Sequence, residues 1–236
     1  MFDRGAGPPV IVVQALQGRW QWMRRFLDSL SKRCRVITYT LCGDFGAELC
    51  SDGAQGFDQY VRQLENVIDH ARLERFALCG ISFGGTVAVR YAARNPGRVT
   101  HLVIQSAPGP GWRAAPEQIP YLSRPVLMLP HFLWNALGRV RAELKAGLPH
   151  LMAKRVRMME TVDLAADAAR ISAPTLILTG EPGLDRVVPV ESTKQYLAYV
   201  PNSRYEMIDN AGHTVSLIQP ERLARVISEF INASRA

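Results

Sequence analysis

The chain has 236 residues, 47% of them hydrophobic, and a formal net charge of +7. This length suits a single α/β domain that buries its own core, with room for an insertion. The basic residues are spread along the chain without a nucleic-acid-binding module, which argues against a nucleic-acid partner, and no segment approaches the roughly 20 apolar residues of a membrane span.

Short apolar runs alternate with longer helical patterns along most of the chain. The apolar runs predict strands at 10–13, 35–40, 76–79, 101–106, 175–179 and 204–208. The helical patterns lie at 20–32, 55–72, 84–95, 191–199 and 220–233. The apolar runs are continuous, as expected when both faces of a strand are covered. We therefore predict a doubly wound, mostly parallel sheet of about six strands with helices on both faces.

The stretch 110–170 interrupts this alternation. It contains no strong strand pattern, several prolines divide it, and apolar residues from Leu133 to Leu144 follow a helical spacing. We interpret 110–170 as a helical insertion that lies over the sheet, rather than a separate domain, in a core that consists of 1–109 and 171–236.

A serine lies among three glycines directly after the strand predicted at 76–79, in Gly80-Ile81-Ser82-Phe83-Gly84-Gly85. The pattern G-x-S-x-G is typical of a sharp strand-to-helix bend, and the glycines remove side chains that would clash there. The bend lifts the hydroxyl above the sheet edge at a helix N-terminus, where an oxyanion is favoured. The pattern predicts that Ser82 is a nucleophile.

A serine nucleophile needs a general base, which is oriented in turn by a carboxylate. His213 follows a predicted strand and precedes the last helix, so it can reach the carboxyl edge of the sheet. An ordinary loop histidine is the alternative interpretation. The loop "GEPGLDRVVP" after the strand at 175–179 offers Asp185 as the acid, with Glu181 as its rival.

In the order Ser82, Asp185, His213 the chain resembles the α/β-hydrolase superfamily over nearly its whole length. The motifs that carry this resemblance are "GISFGG", "GEPGLDRVVP" and "NAGHTVSLIQPERL". It implies the α/β-hydrolase fold with 110–170 as a helical cap, and we expect the usual N-terminal hairpin to be reduced. It also implies an oxyanion hole formed by the backbone N–H groups of Leu16 and Phe83. The chain has Gln14-Ala15 where the family often carries His-Gly.

These residues predict a serine esterase or lactonase that acts on small, largely apolar substrates through an acyl-enzyme, without a cofactor or metal. Trp112, Trp134 and Met128 are the candidates for the walls of the substrate pocket. The fold alone does not fix the reaction. An acyltransferase, a peroxidase-like enzyme, a lyase or a ligand-sensing receptor with little turnover are the alternatives.

Four cysteines, Cys34, Cys42, Cys50 and Cys79, show neither CxxC spacing nor neighbouring histidines, which argues against a metal site. The N-terminus lacks an apolar core of signal-peptide length. We therefore expect a soluble, cytoplasmic protein with reduced thiols.

Overall fold

The computed structural model describes residues 1–51, 53–115 and 149–233, and these form a seven-stranded sheet with helices on both faces. The strands are β1 (Phe2–Arg4), β2 (Pro9–Val13), β3 (Arg35–Thr38), β4 (Phe76–Ile81), β5 (Val99–Gln105), β6 (Thr175–Thr179) and β7 (Ser203–Met207). Their spatial order is β1-β3-β2-β4-β5-β6-β7, and all the neighbours from β3 to β7 are parallel. The predicted α/β-hydrolase fold is confirmed.

All six predicted strands form, and β1 is a seventh that pairs antiparallel with β3. This strand is three residues long. The strand predicted at 76–79 extends to Ile81 because Gly80 and Ile81 continue the pairing with β5. Along β2, Ile11 and Val13 belong to one core cluster and Val10 and Val12 to the other, so each face of the strand is buried.

The helices follow the predicted order with small differences in their bounds. They are α1 (Arg24–Leu30), α2 (Asp58–His70), α3 (Phe83–Arg94), α4 (Pro149–Met159), α5 (Leu164–Ala169), α6 (Val190–Lys194), α7 (Tyr196–Tyr199), α8 (Val215–Ile218) and α9 (Pro220–Asn232), with a 3₁₀ turn at Trp20–Met23. The helix predicted at 191–199 is divided into α6 and α7 at Gln195. Buried side chains of α2 and α3 cover one face of the sheet, and those of α1 and α9 cover the other.

The predicted cap lies partly outside the described residues, which omit 116–148 together with the candidate pocket residues Met128 and Trp134. Its described part contains α4 and α5. Helix α5 packs against α3, and Asp167 of α5 pairs with Arg90 of α3 at 2.9 Å. The described end of the cap region is therefore attached to the helix that follows Ser82.

The prediction of reduced thiols is wrong for two of the four cysteines, because Cys42 and Cys50 form a disulfide. Gly43 and Gly46 adopt left-handed backbone angles, with φ of 94° and 78°, and the chain turns back so that the two cysteine Cα atoms lie 5.7 Å apart. Cys34 and Cys79 are buried and are not part of this disulfide. Within the described ranges, no helix has the length and apolar character needed to cross a membrane.

Candidate active site

Four loops meet at the carboxyl edge of the sheet. They follow β2, β4, β6 and β7 and carry Leu16, Ser82, Asp185 and His213 respectively. The chain passes from β2 outward to β3 and returns to β4 on the other side of β2, so the strand order reverses between β2 and β4. Ligands of open parallel sheets bind outside such a reversal point.

Ser82 lies at the apex of a strained turn between β4 and α3, with φ of 52° and ψ of −116°. Its N–H donates to the carbonyl of Gln105 at 2.8 Å, which ties the turn to β5. A Cβ atom at Gly80 would lie 2.4 Å from the Gly84 carbonyl oxygen, and one at Gly84 would lie 2.3 Å from the Val13 carbonyl oxygen. Only glycine fits at either position, which explains the spacing of the motif around Ser82.

The structure brings together the three side chains that the sequence analysis selected. Nε2 of His213 lies 3.0 Å from Oγ of Ser82, and Nδ1 lies 3.1 Å from Oδ2 of Asp185. The side chain of Asp185 is 1% exposed and that of His213 is 15% exposed. A hydroxyl, an imidazole and a carboxylate thus form one hydrogen-bonded chain at the sheet edge.

Asp185 lies in an environment that keeps its carboxylate charged. Burial acts to raise the pKa of Asp185, but the hydrogen bond and charge of His213 and the backbone N–H groups of Val188 and Val187 together lower it below its ordinary value. Those two N–H groups bind Oδ1 at 3.0 and 3.1 Å, which leaves Oδ2 for His213. The rival acid, Glu181, accepts instead from the N–H of Asn210 at 3.0 Å.

Ser82 and His213 open into a cavity of about 160 Å³. Its walls are mostly apolar, with a few polar side chains. The lining residues are Leu16, Gln17, Ser82, Phe83, Pro108, Trp112, Met152, Val156, Met159, Arg186, Val187, Val188, His213 and Thr214. Two depressions of about 440 and 550 Å³ lie elsewhere on the surface and contain none of the three selected side chains, so we assign the chemistry to the smaller cavity.

Among the candidates for the pocket walls, Trp112 lines this cavity, whereas Trp134 and Met128 lie outside the described residues. The sequence analysis missed Met152, Val156 and Met159. Their spacing of i, i+4 and i+7 on α4 marks one face of a helix, but it does not reveal that this face lies beside Ser82.

Leu16 and Phe83, the predicted oxyanion-hole residues, line the same cavity as Ser82. The loop after β2 turns at Ala15–Gly18, where the N–H of Gly18 donates to the carbonyl of Ala15 at 2.9 Å. Gln14 is buried and its amide donates to the hydroxyl of Thr38 on β3. The side chain that replaces the family's usual histidine is thus bound to a neighbouring strand.

A buried ion pair next to this loop was also absent from the sequence analysis. Arg155 of α4 pairs with Asp44, and their side chains are 1% and 0% exposed. Arg155 also donates to the carbonyl of Leu16 at 2.9 Å. Among the described residues, no group of three or more His, Cys, Asp or Glu side chains is arranged to hold a metal ion.

Comparison with known proteins agrees with the fold described above. A family model described as "Alpha/beta hydrolase family" matches residues 5–226. A 2-hydroxy-6-oxo-2,4-heptadienoate hydrolase of Pseudomonas putida is 27% identical over an alignment of 261 residues, which covers 99% of this chain and 92% of the relative. A pimeloyl-[acyl-carrier protein] methyl ester esterase of Legionella pneumophila is 28% identical and covers 96% of each chain.

Solved structures share the fold at lower identity. The enol-lactonase from Burkholderia xenovorans superposes with a TM-score of 0.77 at 18% identity, covering 98% of this chain and 95% of that one. The enol-lactonase shows the fold alone, whereas the two relatives found by sequence are named as a heptadienoate hydrolase and a methyl ester esterase. Their names therefore bear on the reaction type in general and leave the substrate to be argued from the site.

Proposed function

Because this chain belongs to the alpha/beta hydrolase family, we propose that it is a serine hydrolase that cleaves small, largely apolar carboxylic esters or lactones through an acyl-enzyme on Ser82. The observation that carries the proposal is the hydrogen-bonded chain from Ser82 through His213 to Asp185, with distances of 3.0 and 3.1 Å. Nucleophile, base and orienting acid within hydrogen-bond reach are the arrangement that activates a serine hydroxyl.

The first half-reaction forms the acyl-enzyme. Nε2 of His213 takes the proton of the Ser82 hydroxyl while Oγ attacks the ester carbonyl carbon. The backbone N–H groups of Leu16 and Phe83 bind the oxyanion of the tetrahedral intermediate. When the bond to the leaving alcohol breaks, the imidazolium returns its proton to the alcohol oxygen, and Asp185 stabilises the imidazolium throughout.

The second half-reaction releases the acid by the same proton route. His213 takes a proton from water, the hydroxide attacks the acyl carbon, and the proton returns to Oγ of Ser82 as the acyl bond breaks. In a lactone the leaving alcohol stays attached to the acyl group, so one ring-opened acid is the product. No step requires a metal or a cofactor.

The cavity supports a small apolar acyl group. Met152, Val156 and Met159 of α4 and Trp112 give it apolar walls, and its volume is about 160 Å³. Because α4 belongs to 110–170 and lines the cavity beside Ser82, it also supports the interpretation of 110–170 as a cap over a core of 1–109 and 171–236. Ester and lactone bonds as the target agree with the names of the esterase relative and the lactonase structure.

Hydrolysis of a carbon–carbon bond is the second candidate, favoured by the heptadienoate hydrolase relative. The name of that substrate contains a 6-oxo group, which is a ketone rather than an ester, so its cleavage breaks a bond between carbons. The same serine, imidazole and oxyanion hole serve both reactions, and the leaving group differs. Substrate choice therefore separates the two candidates.

The test compares p-nitrophenyl acetate, butyrate and octanoate, a simple lactone and a 2-hydroxy-6-oxo-dienoate with the wild-type protein. We expect the short esters to be turned over, with kcat/KM falling at least about 10⁴-fold in Ser82→Ala and His213→Ala. Glu181→Gln is the control because the Glu181 carboxylate binds the Asn210 N–H, whereas Nδ1 of His213 binds Asp185.

Three other results would each replace the proposal. Faster cleavage of the dienoate than of any ester would favour the carbon–carbon hydrolase, and transfer to an added alcohol that outcompetes water would indicate an acyltransferase. Binding without turnover of any substrate would indicate a receptor. Full ester turnover in Ser82→Ala would remove the assignment of the nucleophile.

A further inference from the structure

We propose that Arg155 is a positioning residue for the oxyanion hole, which it holds in shape by binding the carbonyl of Leu16 from a buried ion pair with Asp44. The inference rests on the proposed function, since it concerns the geometry in which Leu16 would stabilise an oxyanion. Arg155 lies 139 residues from Leu16 in sequence, in the described part of the cap region.

The guanidinium of Arg155 joins three separate segments of the chain. It donates from Nη1 to the Leu16 carbonyl at 2.9 Å, from Nη2 to the Cys42 carbonyl at 3.0 Å and to the Asp44 carboxylate, and from Nε to the Tyr60 hydroxyl at 3.2 Å. Only the planar, five-donor group of arginine reaches acceptors in this many directions at once. The loop after β2, the loop after β3 and α2 are thereby fixed to α4.

Among the residues that the structure describes, three bonds to backbone groups hold the loop that carries the proposed oxyanion donor, and the Leu16 carbonyl accepts one of them. The other two join the Gly18 N–H to the Ala15 carbonyl at 2.9 Å and the Leu41 N–H to the Gly18 carbonyl at 2.8 Å. Arg155 binds the carbonyl of the peptide that directly follows Leu16. Since a catalytic donor must be held to within about 0.5 Å, loss of this hydrogen bond should displace the donor without abolishing the fold.

Arg155 is also connected to Phe83, the residue with the second proposed donor, through the ring of Tyr60. The Tyr60 ring packs edge-on against the Phe83 ring with centroids 5.0 Å apart, and the guanidinium of Arg155 lies 5.5 Å from the Tyr60 ring centroid. Tyr60 is thus held between Arg155 and the residue whose N–H is the other half of the hole.

Gly18 shows how closely the ion pair is fitted to the loop. A Cβ atom there would lie 2.0 Å from Oδ2 of Asp44 and 2.7 Å from Nη1 of Arg155, and φ of Gly18 is +75°. Burial raises the pKa of Asp44 more than the charge of Arg155 lowers it. A buried ion pair is often no more stable than an apolar pair of the same volume, so stability alone does not account for two charges at this position.

The experiment uses two variants of the ion pair, one single and one double, and one matched control. Arg155→Lys keeps the charge but loses the fork, and the double variant Asp44→Asn/Arg155→Met removes both charges together so that neither is left unpaired. Arg90→Met is the control, because Arg90 also joins α3 to the cap region through an ion pair, with Asp167 at 2.9 Å. Its second carboxylate partner is Asp58 of α2 rather than a residue of the loop after β2.

Two quantities are measured for each protein after its active sites are counted with a fluorophosphonate. The first is kcat and KM for p-nitrophenyl butyrate. The second is the inhibition constant of an alkyl trifluoromethyl ketone, whose adduct with Ser82 carries an oxyanion. We expect kcat of the double variant to fall about 10- to 100-fold with KM nearly unchanged and the inhibition constant to rise by the same factor, since complete loss of an oxyanion donor costs about 10²–10³-fold.

Arg155→Lys should lie between the wild type and the double variant on both measurements, and Arg90→Met should stay near the wild type on both. The proposal is overturned if kcat per active site and the inhibition constant of the double variant stay within about twofold of wild type. A fall in kcat with an unchanged inhibition constant also overturns it. If the double variant does not fold, Arg155→Lys is judged by the same criteria.

The inhibitor separates this inference from the proposed function. If the wild type forms the trifluoromethyl ketone adduct but cleaves no ester, the esterase proposal fails while the series of inhibition constants still decides the role of Arg155. If the wild type forms no adduct with Ser82, both proposals fall.

Discussion

The two halves of the candidate active site are built in different ways. Ser82, Asp185 and His213 stand on loops that directly follow strands, and short backbone contacts within and between those loops hold them in place. Leu16, which lines the same cavity, is held by Arg155, which is distant in sequence and bound to Asp44 in the interior. The nucleophile half depends on local backbone geometry, and the oxyanion half depends on tertiary packing of a buried charge.

Because the two halves are built differently, we expect substitutions in them to affect catalytic activity and stability to different extents. A change in the nucleophile half removes a reacting group or its orienting partner. A change in the oxyanion half moves a backbone donor that is still present. Substitutions in the first half should therefore lower kcat strongly and change the free energy of unfolding little. Substitutions in the second half should lower both.

After Ser82→Ala and His213→Ala, the largest loss of activity is expected from Asp185→Asn. The amide cannot stabilise the imidazolium and favours the wrong tautomer of His213, so kcat should fall about 10³–10⁴-fold while the fold is retained. Glu181→Gln is the control, and its kcat should stay close to that of wild type. A severe loss in Glu181→Gln together with a neutral Asp185→Asn would show that the orienting acid is the other carboxylate.

Gly18→Ala tests the oxyanion half without removing a charged side chain. Its Cβ atom meets Asp44 and Arg155, so we expect kcat to fall about 10- to 100-fold because the Leu16 donor is displaced. Gly97→Ala is the matched control, since Gly97 has a similar φ of +86° but open space around it. Gly97→Ala should lose about 1 kcal/mol of unfolding free energy and keep its kcat. Equal kcat losses in the two variants would mean that the contact with the ion pair is irrelevant.

The disulfide tests the loop that carries Asp44. Cys42→Ser/Cys50→Ser should lower the free energy of unfolding by about 2 kcal/mol, because the closed loop is short, and should lower kcat by less than Gly18→Ala does. Urea unfolding with and without a reductant measures the change, and the double variant should not respond to the reductant. Four titratable thiols in the denatured, unreduced wild type would contradict the bond.

The smallest effect concerns acid stability. The pKa of Asp185 is lowered in the folded protein, so its contribution to stability is present above its ordinary pKa of about 4 and is lost as the pH falls through the folded value. His213→Ala removes the imidazole, whose hydrogen bond and charge do most to lower the pKa of Asp185, while burial remains. The pKa of Asp185 in the folded protein should therefore rise, and acid unfolding should begin at a higher pH. The shift should vanish when the background already carries Asp185→Asn. Identical acid unfolding curves for wild type and His213→Ala would contradict this origin of the shift.

The same division explains what the sequence reveals. The strands and helices are predicted from apolar runs and helical spacing. Ser82 is predicted as the nucleophile because the flanking glycines leave room for a tight turn that a side chain would block. His213 and Asp185 were selected as side chains that follow parallel strands, since such loops converge at one sheet edge. These inferences need only local pattern and chain order.

The other half of the site has no comparable signal. Arg155 lies among other basic residues in "AKRVR", and nothing local distinguishes it as the one whose charge is buried. Cys42 and Cys50 show no recognisable motif, and only the turn between them brings them together. Contacts between segments so far apart are set by the packing of the whole domain.

The central claim is that the hydroxyl of Ser82 is the group that forms the covalent intermediate. A p-nitrophenyl alkylphosphonate tests it directly, because attack releases p-nitrophenolate and leaves a stable phosphonyl ester on the nucleophile. The account predicts release of one equivalent per chain, a matching mass increase that peptide mapping locates on Ser82, and neither signal in Ser82→Ala. Undiminished release and labelling in Ser82→Ala, or a label on another side chain of the wild type, would contradict it.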